Sequence, residues 1–226
     1  MTPAECAAVI TAAGKSRRMG PAGKKEYRGL EGVPVLARAL RPFIASGRFS
    51  RIVVTVPSGD VDAVASLVQP HVCLDTVAFV EGGSTRQESV FNALRALRPA
   101  APGLVLIHDG ARPWVSRELI DIVIEATRRR GACLPVLEAA EAVKLVGDGD
   151  TIAQHFPRHT IRFAQTPQGF LYAQIVAAHE KAREQGMVCA DDGELYSLFI
   201  GPVSWVCGEP RNRKITWQHD LESPCE

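Results

Sequence analysis

The chain has 226 residues, 46% of them hydrophobic and 23% charged, which is the make-up of a folded globular domain and excludes disorder, collagen and coiled coil. Twenty-six basic residues against 25 acidic ones leave a formal net charge of +1, so no global field exists to hold DNA or an anionic membrane. One large domain spanning residues 1–226 is expected, able to bury roughly 70% of its unfolded surface without a disulfide or metal staple.

Met1-Thr2-Pro3-Ala4-Glu5-Cys6 lacks a basic region before an apolar stretch. No run approaches the roughly 20 apolar residues of a membrane span, so neither a signal peptide nor a span is expected. Cysteines at 6, 73, 133, 189, 207 and 225 form no C-x-x-C pair, which predicts reduced thiols in a cytoplasmic protein rather than a zinc or disulfide framework.

In chain order, Ala7–Ala12 reads as a buried strand, Pro34–Ala45 as a helix with proline in its first turn, and Arg51–Val56 and Thr76–Val80 as further strands. Ser84-Thr85-Arg86-Gln87 is a capping-box pattern, followed by Val90, Ala93, Leu94 and Leu97 at helical spacing. Leu104–Ile107 is a fourth strand, and Ser116 caps a helix with Leu119, Ile122, Val123 and Ala126 on one face. The strands are continuous apolar runs rather than alternating ones, as in a parallel sheet covered on both faces.

After Val136 the pattern turns polar. Residues 138–162 contain Gly147-Asp148-Gly149-Asp150 between extended pieces and predict a hairpin excursion from the main sheet. A helix at 171–185, a short helix at 192–199 and strands at 203–207 and 213–216 complete the reading. The fold class is α/β, a mainly parallel sheet with helices on both faces.

Ligands of such sheets bind beyond the carboxyl ends of the strands. After the first strand, residues 14–28 hold six basic residues (15, 17, 18, 24, 25 and 28) against Glu26, a local +5. Small residues and exposed N–H groups beside cations suit a polyphosphate, although a basic loop alone is most often solvated surface. Gly14-Lys15-Ser16 ends like a P-loop, but Val9 stands where the upstream glycine is required, and no G-x-G-x-x-G follows the strand. Gly82-Gly83 before the capped helix is a second close-approach turn, and His108-Asp109-Gly110-Ala111-Arg112-Pro113 places an acid at a strand end, suited to a divalent metal or a ribose.

Six segments in register resemble the 2-C-methyl-D-erythritol 4-phosphate cytidylyltransferases. They are Ala12-Ala13-Gly14 with Arg17-Arg18-Met19; Lys25-Glu26-Tyr27; Gly82-Gly83 with Arg86-Gln87 and Ser89-Val90; His108 to Pro113; Gln165-Thr166-Pro167-Gln168; and Asn212 to Thr216. The resemblance covers nearly the whole chain. It implies a Rossmann-like nucleotidyltransferase domain with a protruding β-arm, residues 138–162, that builds a homodimer. It implies CMP transfer from CTP to the methylerythritol phosphate, with Mg²⁺ bridging triphosphate oxygens. By position, it implies that Arg18, Lys25 and Lys214 neutralise the phosphates and the transition state. Ala12, Ala13, Gly14, Gly83 and Ser89 are implied to hold CTP. Asp109 (also the metal residue), Arg112, Arg158 and Thr166 are implied on the acceptor side, with Arg158 arriving from the partner's arm.

One departure stands out. Ala142 occupies the place of a family threonine that contacts the acceptor phosphate, and it keeps open a cytidylyltransferase for another polyol phosphate such as ribitol 5-phosphate. A non-catalytic nucleotide-binding protein would not need Arg18, Lys25, Asp109 and Lys214 together. A nucleic-acid binder would need aromatics interleaved with the basic segment, which is without them.

Overall fold

The computed structural model describes residues 6–16, 19 and 23–222. The strands are β1 Cys6–Thr11, β2 Gly29–Leu30, β3 Val33–Pro34, β4 Phe49–Val56, β5 Val77–Glu81, β6 Leu104–Asp109, β7 Ala132–Glu138, β8 Val143–Val146, β9 Ile152–Phe156, β10 Arg162–Ala164, β11 Gln168–Leu171 and β12 Ser204–Cys207. The helices are α1 Val35–Ser46, α2 Val61–Val68, α3 Arg86–Ala96, α4 Arg117–Arg130, α5 Tyr172–Glu184 and α6 Asp192–Phe199.

Among the described residues an eight-stranded sheet runs β10-β7-β11-β6-β1-β4-β5, with β12 also paired to β7. β5, β4, β1 and β6 are mutually parallel, while β11 is antiparallel to both neighbours. Alternation of side chains along β1 divides the core. Ala8 and Ile10 join Leu36, Leu40, Phe43, Leu119 and Val123 under α1, α2 and α4. Ala7 and Val9 join Val90, Leu94, Phe170, Ile175 and Leu195 under α3, α5 and α6. A strand buried on both faces cannot alternate polar with apolar, which is why its sequence is a continuous apolar run.

The chain moves outward from β1 to β4 and β5, then returns to the other side of β1 as β6. That reversal opens a crevice at the carboxyl ends of β1 and β6. Thr11 and Asp109 are register partners at its floor.

The excursion leaves the main sheet at the end of β7 and rejoins it at β10, with Glu138 and Arg162 as register partners. β8 and β9 form a separate antiparallel pair, with Val146 74% and Leu145 48% exposed. The turn closes with Asp150 and Gly149 at positive φ and the Gly147 N–H donating to Thr151 O at 2.9 Å.

Four details differ from the sequence reading. The N-cap of α3 is Thr85 rather than Ser84: its hydroxyl accepts the Glu88 N–H, and the Glu88 carboxylate takes the Ser84 and Thr85 amides. Ile122 is 50% exposed, because α4 instead turns Ile120 and Ile124 inward. Residues 213–216 form no strand; Ile215 N–H donates to Ala111 O at 2.8 Å, outside any strand ladder. Helix α2 and strand β11 add to the elements expected from sequence. No helix among the described residues is long and apolar enough to cross a membrane.

Candidate active site

The carboxyl ends of β1, β5 and β6 meet at a cleft of about 490 Å³. Its first wall is the loop after β1. Ala12 N–H donates to Thr55 O at 2.9 Å, and its methyl group lies in the core. Ala13 and Gly14 then line the cleft, and a Cβ built on Gly14 would meet nothing within 4 Å. Ser16 turns the chain with φ 46°, in the left-handed region that few non-glycine residues occupy. Its hydroxyl accepts the Lys25 N–H at 3.4 Å and donates to Glu26 Oε2 at 3.2 Å, tying the two ends of the basic loop together. Lys25 and Glu26 are both buried and line the cleft. Burial pushes the Glu26 carboxyl above its ordinary range, opposed by the charge of Lys25.

The second wall is the turn before α3. A Cβ on Gly82 would lie 2.4 Å from Ala13 Cβ, and one on Gly83 would lie 2.4 Å from Glu88 Cβ. Both glycines are needed for close approach, since neither has a positive φ. The buried Ser89 hydroxyl accepts the Gly83 N–H at 3.0 Å and donates to Thr85 O at 2.8 Å. It therefore holds the glycine turn against the helix.

Asp109, 6% exposed, is the hub of the floor. Lys214 Nζ lies 2.8 Å from its Oδ2, and Arg86 Nε lies 3.3 Å from its Oδ1. Arg112 Nε lies 3.5 Å from Oδ2, an ion pair without a hydrogen bond. Burial alone would raise the Asp109 pKa, but Lys214, Arg86 and Arg112 outweigh it and hold the carboxyl well below its usual range. Arg86 Nη1 also meets Asp192 Oδ2 at 2.7 Å. Burial opposes the Arg86 charge, yet Asp192 and Asp109 together raise its pKa. Beneath the floor, Asp109 N–H donates to Thr166 Oγ1 at 3.1 Å, and that oxygen lies 2.9 Å from Nδ1 of the fully buried His108.

Of the residues singled out from sequence, Ala13, Gly14, Lys25, Gly83, Ser89, Asp109 and Lys214 line this one cleft. Ala12 lies in the core beneath it. Arg112 sits behind Asp109, its Nη1 donating to Asn212 O at 2.8 Å. Thr166 is buried between His108 and Asp109. Arg158 is exposed at the base of the hairpin, donating to Ala140 O at 3.4 Å, and is not part of the cleft lining. Arg18 lies outside the described residues. Among the described residues no group of three or more His, Cys, Asp and Glu side chains could hold a metal. Asp109 places a hard carboxylate in the cleft, a donor that suits Mg²⁺, which takes one or two carboxylates with substrate phosphates and water.

Sequence reasoning gave no site role to Arg86, Glu26 or Asp192. Arg86 carried a signal: a cation in the first turn of a helix opposes the helix dipole, so its place there calls for another partner. Asp192 carried none, because an acid in a first turn is ordinary.

The family model described as IspD, 2-C-methyl-D-erythritol 4-phosphate cytidylyltransferase, matches residues 6–224. The chain is 40% identical over 217 residues to a bifunctional enzyme IspD/IspF of Mesorhizobium japonicum, a match covering 95% of this chain and 53% of that one. It thus spans about half the length of the first curated relatives it matches. It is 37% identical to the 2-C-methyl-D-erythritol 4-phosphate cytidylyltransferase of Pelotomaculum thermopropionicum, over 95% of this chain and 90% of that one. The crystal structure of the Thermus thermophilus cytidylyltransferase of the same name superposes with a TM-score of 0.77 at 34% identity, covering 96% of this chain and 95% of that one.

Proposed function

The chain belongs to the IspD family, the 2-C-methyl-D-erythritol 4-phosphate cytidylyltransferases, and on that basis we propose that it transfers CMP from CTP to 2-C-methyl-D-erythritol 4-phosphate. The products are 4-diphosphocytidyl-2-C-methyl-D-erythritol and pyrophosphate. The observation that carries the reading is the single cleft that gathers Lys25, Lys214, Asp109 and the open backbone at Gly14.

An acceptor phosphate oxygen attacks the α-phosphorus in line, and pyrophosphate leaves. The step needs positioning and charge neutralisation, with no protein nucleophile. Lys25 supplies positive charge from the loop after β1 and Lys214 from the floor beside Asp109, and Arg18 joins them on the strength of the sequence resemblance. The Ala13 and Gly14 backbone cradles phosphate oxygens. The Gly83 turn, held by Ser89, receives the cytidine. Asp109 and the triphosphate would hold Mg²⁺. That ion, when bound, offsets repulsion between the phosphate oxygens.

On the acceptor side, Arg112 braces the floor, and Thr166 fixes the Asp109 backbone. Arg158 grips the acceptor phosphate of a neighbouring copy, which makes the protein a homodimer through its arm. The arm's exposed Leu145, Val146 and Ile152 support that assembly, because a bare hairpin is marginal in water. Cytoplasmic residence belongs to the same proposal, and the five described cysteines, all free thiols, are consistent with it.

The test is pyrophosphate release with CTP, Mg²⁺ and either methylerythritol phosphate or ribitol 5-phosphate. Turnover with the first acceptor is expected. Preference for ribitol 5-phosphate, or turnover with neither, would overturn the reading.

A further inference from the structure

Asp192 is 1% exposed in the first turn of α6, yet it does not cap that helix. Asp191 does, its Oδ1 accepting the Glu194 N–H at 2.8 Å. A second carboxylate buried beside a cap already supplied costs free energy unless its charge is used. The structure shows how it is used. Oδ2 takes Arg86 Nη1 at 2.7 Å, and Oδ1 lies 3.2 Å from His179 Nε2. The Nε of the same guanidinium reaches Asp109 Oδ1 at 3.3 Å. One arginine thus bridges two buried carboxylates, Asp109 in the cleft and Asp192 outside its lining.

The frame around Asp192 is rigid. Gln168 Nε2 donates to Asp191 Oδ2 at 2.9 Å, and Gly193 N–H donates to Gln168 Oε1 at 3.1 Å. A Cβ on Gly193 would lie 2.6 Å from Leu134 Cδ2, so the first turn of α6 sits tight against the sheet. Asp192 is therefore a fixed point against which the Arg86 guanidinium is held.

We propose that Asp192, backed by His179, is a positioning residue for the cleft, holding Arg86 on Asp109 and so fixing that carboxylate at the cleft floor where CTP must bind. The inference rests on the nucleotidyl-transfer reading above. It assigns a role to the fork shape of arginine, which can serve two carboxylates at once where lysine serves one.

The test is a double-mutant cycle of Asp192→Asn and Arg86→Ala, read both as turnover and as CTP affinity by calorimetry. In the wild-type background Asp192→Asn should lower turnover and CTP affinity at least about tenfold, the scale of a small misplacement at a reacting centre. In the Arg86→Ala background it should change either by less than about twofold, because its effect runs through Arg86. Equal losses in both backgrounds, or none in the wild-type background, would overturn the proposal. Arg86→Lys keeps the charge and covers a variant of Asp192 that fails to fold. It should lose about tenfold in both readouts, and full activity in it would also overturn the proposal. If the wild-type enzyme itself transfers nothing to methylerythritol phosphate, the function reading fails, while the affinity cycle still decides for or against the bridge.

Discussion

Acidification should weaken this fold through one residue, His108. Its ring is fully buried, with its centroid 5.1 Å from that of Phe43. Arg112 O can only accept, so His108 Nε2–H donates to it at 3.2 Å, and in the neutral ring Nδ1 accepts the Thr166 hydroxyl proton while Thr166 Oγ1 takes the Asp109 N–H. That arrangement satisfies the neutral ring, and burial disfavours the charged one. Burial, partly opposed by Asp109, pushes the imidazole from its ordinary 6.5 down to about 4. Between those two values the unfolded chain binds the proton that the folded chain refuses, so stability falls as pH falls. A separation of about 2.5 pH units corresponds to about 3 kcal/mol lost between pH 7 and pH 4. Asp109 and Asp192 are depressed carboxylates, so their contributions are lost only below the ordinary aspartate range, near pH 4 and under. Glu26, raised by burial, acts in the opposite direction. Urea unfolding at a series of pH values, for the wild type and His108→Gln, isolates the effect, because every other group is common to both. The variant should be less stable at pH 7 and should show a flatter decline toward pH 4. Parallel declines in the two proteins would refute the assignment of a neutral buried imidazole.

Lys25→Ala and Lys214→Ala should each lower turnover by about 10²–10³, the cost of one preorganised transition-state donor, with folding retained by circular dichroism. Gly82→Ala should destabilise by about 1–3 kcal/mol, because the new methyl must displace Ala13 Cβ at 2.4 Å, and should also raise the KM for CTP. A purine triphosphate should be used far less well than CTP, and comparable rates in a pyrophosphate assay would remove the base pocket from the Gly83 turn. Arg158→Ala should weaken the acceptor and spare CTP binding. Mixed with Lys25→Ala subunits, it should regain part of the activity, which a monomer by sedimentation would rule out.

The parts of the fold legible in the sequence were those with a strong period or a strong punctuation mark. β1, β4 and β6 announced themselves as apolar runs, and Ser116 caps α4 with its hydroxyl 2.9 Å from the Leu119 N–H, as its spacing predicts. β11 did not, because four residues are too few for a period, and Gly169 sits there for packing: a Cβ would lie 2.2 Å from Thr127 Oγ1. Residues 213–216 look like a strand by composition, yet Ile215 is buried against Leu30 and Val35 instead of pairing in the sheet. In the site, the loops after β1, β5 and β6 were legible because a parallel sheet puts chemistry at strand ends. The coupling of Arg86 to Asp192 joins residues 106 apart in sequence, and no local pattern encodes such a pair. Thr166 was legible as a motif member, but its bond to His108 depends on packing that one sequence does not display.

Glu138 and Arg162 face each other across the sheet, their side chains joined at 3.1 Å. Geometrically, β7 and β10 are therefore two legs of an ordinary antiparallel hairpin, and the whole arm is the loop between them. Closing a longer loop costs only about 0.6 kcal/mol per doubling of its length. Such a junction tolerates lengthening, shortening or replacement of what it carries, because the sheet register is set at its base. Evolution can thus rewrite the arm's reach and surface while the cleft at the ends of β1, β5 and β6 keeps its geometry.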